Sequence, residues 1–445
     1  MRLRLFILFF FITSLASYEI AAQWSAFGNG IPSGDFVIGF ENYNGALLAY
    51  TQPDPDVYEF NGTSWSPVYV SLPLSSGIHR LKTIDSVLYA VTYASTGSNR
   101  VYTLSAGNWN TVGGTFTNPG SPYDPTIYDL ISYHDTIFVC GEFSRVNTDT
   151  INGIAKWNGI NWENVGGGLA GGMSPYPGLR YPHQLQVYNG ELYVIGNFTT
   201  AGGITVNGIA KWNGSSWSAV GSGFNAVGYG MGEYNGELFA GGEFTTAGGI
   251  IVSRIAKWNG SLWQDPGIGV VYTGLPGVHA FVHSIIPVQS RLVIAGGFDH
   301  VIFSGNTYIN QGVFTYNGTT VDTMDGGVDN DVEAIMPYGS GVLVGGGFTM
   351  AGSIAADKTA LYDFTSGVSS PAIEQLTAFP TIVKNELHLS GEGASVGKNF
   401  CIYDQQGKKM KEGTFDSVIN VESLSCGFYF LRIEESGSVI KFEKR

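Results

Sequence analysis

The sequence predicts an all-β protein: a seven-bladed β-propeller of four-stranded blades, followed by a small C-terminal β-sandwich. Three observations predict it. A Trp-Asn-Gly hairpin recurs along the chain, as GIAKWNGINWENVG (153–166), GIAKWNGSSWSAVG (208–221) and RIAKWNGSLWQDPG (254–267). A second hairpin precedes each copy, so each unit holds four short strands in about 40–50 residues, the size of a propeller blade. The composition agrees: of 445 residues 63 are Gly, and aromatic and charged residues each make up only 13%, the balance of a turn-rich β protein.

Each hairpin has its own turn chemistry. Asn-Gly between β-formers tolerates φ > 0 at both central positions and so closes a two-residue turn. Trp157, Trp212 and Trp258 stand before that turn, and Trp162, Trp217 and Trp263 after it. Weaker copies end at Trp65, Trp109 and Val321. The preceding hairpin reads SYHDTIFVCGEF (132–143), VYNGELYVIGNF (187–198), EYNGELFAGGEF (233–244), VQSRLVIAGGF (288–298) and YGSGVLVGGGF (338–348), with variants at 43–50 and 84–91. Glycines after the second strand (Gly196, Gly242, Gly297 and Gly347) are expected to let neighbouring blades approach. Phe198, Phe244, Phe298 and Phe348 are expected to pack between blades.

The count of strands predicts how the ring closes. Second strands occur seven times, near Leu47, Leu88, Ile137, Leu192, Leu238, Leu292 and Val342, but fourth strands only six times. The missing one lies at the other end of the chain, where QWSAFG (23–28) matches WSAVG. The N-terminal strand should therefore complete the last blade, leaving no open edge of unpaired N–H and C=O groups. A Gly pair ending the second strand and a Trp opening the fourth resemble the Kelch type of blade, over residues 23–367.

The two ends read differently. Residues 1–22 read as an export leader, with Arg2 and Arg4 before the apolar run Leu5 to Leu15 and a cut expected after Ala21-Ala22 or at Ala16. Residues 368–378 read as a linker, and 379–445 as short alternating strands of a β-sandwich. In that segment Phe379-Pro380, Tyr403-Asp404 with Gly407-Lys408, Gly427-Phe428-Tyr429-Phe430-Leu431 and the terminal Lys441-Phe442 through Lys444-Arg445 resemble the type A C-terminal sorting domain of the type IX secretion system of Bacteroidota. Thr381 stands where that family usually has Asn. The resemblance implies passage through the outer-membrane secretion machinery and a product that is secreted or held at the cell surface.

Charge and cysteines narrow the partners. A net charge of −14 argues against a nucleic-acid surface. No long apolar run follows the leader, so no membrane span is expected in the mature chain, which is read as a monomer. Three cysteines exclude a disulfide framework; Cys401 and Cys426 leave pairing open, and Cys140 reads as a buried thiol.

Two candidate sites emerge. In a four-stranded blade the 2→3 and 4→1 connections open on one face, and here they carry the long insertions. Tyr123, Tyr176, Arg180, Tyr181 and Tyr272 lie in or beside those insertions and are candidates to hold a glycan, peptide or surface partner. Counting nine residues back from the second-strand position aligns Ile38, His79, Tyr128, His183, Tyr229, His283 and Glu333 in the first strands, which line the axis. His79, His183, His283 and Glu333 are candidate ligands for a Ca or Zn ion, although no cofactor is required. The alternative is a hydrated polar channel. The segment DGGVDNDVE (325–333) reads either as a calcium loop or as a plain turn. The leading function is a non-catalytic exported interaction protein, and the second is a hydrolase or lyase centred on the channel mouth, where propeller lyases and lactonases place such sites.

Overall fold

The computed structural model describes residues 23–31, 36–52, 57–68, 76–94, 98–121, 123–173, 181–274, 279–365, 377–379, 382–390, 399–404, 408–414, 418–433 and 439–445. The leader expected at 1–22, most of the linker expected at 368–378, and Tyr176, Arg180 and Pro380 lie outside the described residues. Contacts divide the chain into two compact units, Met1–Gly367 and Val368–Arg445.

The first unit is built of antiparallel four-strand meanders, labelled here by letter. Sheet A holds Phe36–Tyr43, Ala46–Gln52, Val57–Phe60 and Trp65–Val68. Meander B holds Ser76–Ile84, Val87–Ala94, Asn99–Ser105 and Asn108–Thr117, and meander C holds Thr126–Tyr133, Thr136–Glu142, Ile154–Trp157 and Trp162–Asn164. The pairing of Tyr93 with Thr126 and the strands Arg145–Val146 and Asp149–Thr150 join the two, called sheets B and C below, into one ten-stranded sheet. Sheet D holds Tyr181–Tyr188, Glu191–Asn197, Ile209–Trp212 and Trp217–Ala219; sheet E holds Gly228–Tyr234, Glu237–Gly242, Ile255–Trp258 and Trp263–Gln264. Sheet F holds Phe281–Val288, Arg291–Gly297, Val313–Tyr316 and Val321–Asp322. Sheet G takes Val332–Tyr338, Gly341–Gly346 and Thr359–Asp363 from the far end of the unit and Gln23–Ala26 from its start.

Sheet G carries the closure expected from the strand count. Trp24 pairs with Tyr362 across the two strands, and their rings meet edge to face at 4.9 Å. The Trp24 indole Nε1 also donates to the Met324 carbonyl at 2.6 Å. The same bond recurs elsewhere, because a Trp opening a fourth strand reaches the end of the fourth strand one sheet back. Trp65 donates to Phe27, Trp162 to Val112, Trp217 to Val165 and Trp263 to Val220. Each bond satisfies a buried indole N–H that would otherwise cost about 1–3 kcal/mol.

The apolar core lies between sheets rather than within them. Leu48 and Tyr50 of sheet A pack with Leu81 and Ala90 of B, and Val91 and Phe116 of B with Leu130 and Val139 of C. Phe138 and Cys140 of C pack with Leu185 and Val194 of D, and Tyr193 and Ile195 of D with Met231 and Ala240 of E. Phe239 of E packs with Ile285 and Ile294 of F, Val293 of F with Val342 and Val344 of G, and Leu343 of G with Val37 and Ala49 of A. Phe198, Phe244, Phe298 and Phe348 are buried in four of these inter-sheet clusters, where the repeat placed them.

The 2→3 connections differ from the open loops expected. In five sheets they fold back as hairpins: Arg145–Val146 with Asp149–Thr150, Thr200–Ala201 with Ile204–Thr205, Thr246–Ala247 with Ile250–Ile251, His300–Phe303 with Asn306–Ile309, and Met350–Ala351 with Ile354–Ala355. Segments of the 4→1 connections add a third strand, Leu169–Ala170 beside Thr200–Ala201 and Ile268–Val271 beside His300–Phe303. The physical reason is the turn, such as Gly202-Gly203 with φ of 59° and 84°, which reverses the chain as readily as Asn-Gly does.

In the second unit Thr377–Phe379, Glu386–Ser390 and Val418–Asn420 form one sheet, and Ile382–Val383, Val439–Lys444, Gly427–Ile433, Asn399–Asp404 and Lys409–Thr414 form another. Leu387 and Ile419 of the first share a core with Phe400, Ile402, Leu431 and Phe442 of the second. All three cysteines are free thiols: Cys140 and Cys401 are buried and Cys426 is exposed.

Candidate functional site

The first strand of every meander is irregular at one place, and it is the same place. The pairing with the second strand slips between Val37 and Gly39, Ile78 and Arg80, Ile127 and Asp129, Pro182 and Gln184, Gly228 and Gly230, Val282 and Ser284, and Val332 and Ala334. The extra residue is in each case the one that the register count singled out: Ile38, His79, Tyr128, His183, Tyr229, His283 or Glu333. A β-bulge leaves its residue out of the ladder and re-aims the side chain, and bulges gather next to functional sites.

The glycines of the second strand explain how the bulge is tolerated. The residue before each bulge pairs with Gly141, Gly196, Gly242, Gly296 or Gly346 in sheets C to G. A Cβ on Gly196 would lie 2.4 Å from Pro182 Cα and 2.5 Å from the Tyr181 carbonyl oxygen. One on Gly242 would lie 2.2 Å from the Val227 carbonyl oxygen. The close approach expected between blades is therefore an approach within one sheet. Gly297 and Gly347 are displaced by one residue from this position, which Gly296 and Gly346 occupy.

The bulged side chains meet. His79 and Tyr128 rings are 4.9 Å apart, Tyr128 and His183 4.9 Å, His183 and Tyr229 4.6 Å, and Tyr229 and His283 6.4 Å. His283 Nδ1 stands 3.8 Å from Glu333 Oε2. Tyr181, a loop-face candidate, opens the first strand of sheet D and packs its ring 5.2 Å from His183. A cavity of about 320 Å³ runs among these strands, lined by Ile38, His79, His183, Tyr229, His283 and Glu333 with their neighbours. A second hollow, bordered by Phe36, Gln52, Tyr93 and Thr126, marks its mouth at the ends of the strands that carry the 2→3 and 4→1 connections.

Two of the imidazoles, His79 and His183, are neutral at pH 7. Burial, then the Arg80 guanidinium and His283, lower the His79 pKa to about 3. Burial, then His283 and His79, hold His183 well below its usual value. Burial also pushes the Tyr128 phenol up, so it stays protonated. His79 Nδ1, His183 Nε2 and His283 Nδ1 are sealed from solvent without a hydrogen-bond partner. A tyrosine separates each imidazole from the next, and among the described residues no three His, Cys, Asp or Glu side chains come together to hold one ion.

The residue after the bulge straps neighbouring sheets together, which sequence reasoning missed. Arg80 Nε lies 3.3 Å from Asp129 Oδ1 and donates to the Tyr128 carbonyl at 3.2 Å. Asp129 Oδ2 accepts from the Leu185 amide at 2.9 Å. Gln184 Nε2 donates to the Met231 carbonyl at 3.2 Å, and its Oε1 accepts from the Met231 amide. A charge or amide at the same offset in three successive apolar strands was the available signal.

The other candidates do not converge. Tyr123, 52% exposed, borders a separate hollow with Arg145 and Asn118. Tyr272 packs against the cluster of Ile268 and Val270. In the acidic segment 325–333, Asp329 accepts hydrogen bonds from the Thr349 and Met350 amides and the Thr349 hydroxyl. That carboxylate ties sheet G to its outer hairpin.

Comparison with known proteins adds the second unit's identity. Residues 377–444 match the secretion system C-terminal sorting domain family. No curated protein matches the chain. Among solved structures, the extracellular domain of the hybrid two-component system BT4673 from B. thetaiotaomicron is 12% identical with a TM-score of 0.51, over 96% of this chain. The chain spans only 59% of that domain. PorZ, described as an essential surface component of the type-IX secretion system of Porphyromonas gingivalis, is 12% identical with a TM-score of 0.33, over 90% of this chain and 68% of its own. The RRP9 WD40 repeats are 9% identical with a TM-score of 0.47, over 78% of this chain and 99% of their own. No helix among the described residues is long and apolar enough to cross a membrane. The chain is an all-β protein with β-propeller neighbours that carries a type IX sorting domain over residues 377–444 and is secreted or held at the cell surface.

Proposed function

We propose that the chain is an exported, non-catalytic binding protein: a seven-bladed, Kelch-like ring that takes its ligand at the axial cavity on the face bearing the 2→3 and 4→1 connections. Export would begin with the leader at 1–22, residues 23–367 would form the ring, and a β-sandwich at 379–445 would address it to the outer membrane. The sheet-to-sheet clusters, which run from A round to G and back to A, support the seven-bladed reading. The observation that carries the binding site is the repeated bulge. Side chains freed from the ladder in six of the seven sheets line one hollow, with Tyr128 of the seventh at its mouth, and convergent polar groups in a preformed pocket mark a ligand site. A metal-centred hydrolase or lyase draws less support, because tyrosines alternate with the imidazoles around the axis.

A thermal-shift screen of peptides, glycans and metabolites on the full mature chain tests this, run in parallel on His183→Phe. A ligand that raises the melting temperature of the wild type and leaves the variant unmoved places binding at the axis. Ligands that shift both equally would move the site elsewhere, to a surface such as the hollow beside Tyr123.

A further inference from the structure

The geometry points to a neutral polyhydroxylated ring, a single sugar unit, as the occupant of the axial cavity. This rests on the axial site proposed above and names what that site takes.

Size comes first. A hollow of about 320 Å³ is at the small end of ligand sites, with room for one ring-sized molecule and not for an extended chain. Charge comes next. Among the residues that line it only Arg80 and Glu333 are formally charged, with opposite signs. The Arg80 guanidinium is already engaged by Asp129 at 3.3 Å and by the Tyr128 carbonyl. His79 and His183 are held neutral. An anion entering the hollow therefore meets no free cation, and an ammonium group meets one carboxylate that faces His283. Either would leave water without adequate compensation.

The lining suits a hydroxylated ring instead. Sheet A contributes Phe36, Ile38 and Phe40, an apolar wall against which the C–H face of a sugar rests. The rest of the wall hydrogen-bonds: the neutral imidazole of His183, the His283 ring, the Ser284 hydroxyl, the Gln52 amide and the Glu333 carboxylate. In a neutral imidazole one nitrogen donates and the other accepts, and with His183 Nε2 and His283 Nδ1 sealed, each ring has its other nitrogen left for a hydroxyl group. A carboxylate adds a strong acceptor for hydroxyl protons. Several donors and acceptors without net charge, beside an aromatic face, match a molecule that is itself dense in hydroxyls and uncharged.

The test uses the full mature chain and four probes of one ring size: methyl glucoside and N-acetylglucosamine, which are neutral, and glucuronate and glucosamine, which are charged. Calorimetry gives the affinities, and NMR of the imidazole nitrogens of His79, His183 and His283 reports the place. At least one neutral probe should bind saturably, perturb the imidazole signals, and exceed its charged counterparts by about tenfold or more. His283→Phe keeps the ring and removes its nitrogens, and should weaken the neutral probe by about tenfold; Gln52→Ala serves if that variant does not fold. Charged probes that bind as tightly with the same imidazole shifts would overturn the ligand class and leave the axial site standing. Neutral binding with no imidazole shift and no effect of either variant would overturn the placement. Failure of all four probes would refute the sugar assignment, while a thermal-shift ligand that distinguishes wild type from His183→Phe would still hold the site at the axis.

Discussion

Acidification from pH 7.5 to 5 should destabilise the ring through His79 and His183. Their folded-state pKa values are depressed below the ordinary 6.5, His79 to about 3 and His183 well below. Below pH 6.5 the unfolded chain therefore binds protons that the folded chain refuses, so stability falls as pH falls, over the window from about 6.5 toward 3. At pH 5 the unfolded state lies about 1.5 units below its own pKa, worth about 2 kcal/mol for each fully depressed imidazole, or about 4 for two. By residue the two histidines are only half-buried, and discounting for screening leaves about 2 kcal/mol in total. The assay is urea unfolding followed by tryptophan fluorescence at pH 7.5, 6.5, 5.5 and 5, on the wild type and on the His79→Gln/His183→Gln variant. Other titrating groups, such as Glu41, whose pKa burial raises, act in both proteins and cancel in the difference. The wild type should lose about 2 kcal/mol relative to the variant between pH 7.5 and 5, with no relative change above pH 7. Parallel pH profiles, or a wild type that gains on the variant in acid, would refute the claim that these imidazoles are neutral and desolvated.

Two further perturbations probe the scaffold. Trp24 is 6% exposed, packs on Tyr362 and donates to Met324, so Trp24→Ala should cost about 3–5 kcal/mol in urea unfolding; a loss below about 1 kcal/mol would mean that the N-terminal strand does not hold the ring closed. Gly196→Ala places a Cβ 2.4 Å from Pro182 Cα and 2.5 Å from the Tyr181 oxygen, backbone atoms that cannot rotate away, and should cost about 3 kcal/mol or more. Gly347→Ala, whose nearest neighbour would be the Asn330 side chain at 3.4 Å, is the control and should stay within about 1 kcal/mol.

What the chain disclosed before folding, and what it hid, follows from the range over which each signal acts. Asn-Gly turns and the tryptophans after them act within a hairpin, so the meanders and the return of Gln23–Ala26 to Thr359–Asp363 were legible from spacing alone. The glycines announce a close approach but not its partner, because the partner strand is known only once pairing is known; in the sequence an approach within each sheet looks the same as one between sheets. The repeated TTAGGI at 199–204 and 245–250 carried the same reversal chemistry as the main hairpins, yet its strands are only two residues long and show no alternation to read. Arg80 and Asp129, 49 residues apart in sequence, become a pair only when their sheets stand side by side. The bulge position is different in kind. IAKW recurs unchanged in three sheets because its residues serve pairing and inter-sheet packing, which every sheet needs alike. The bulged residue pairs with nothing in its own ladder, and it runs Ile, His, Tyr, His, Tyr, His, Glu from sheet to sheet. A position released from the ladder's demands, yet filled with groups costly to desolvate, is what the proposed axial site rests on.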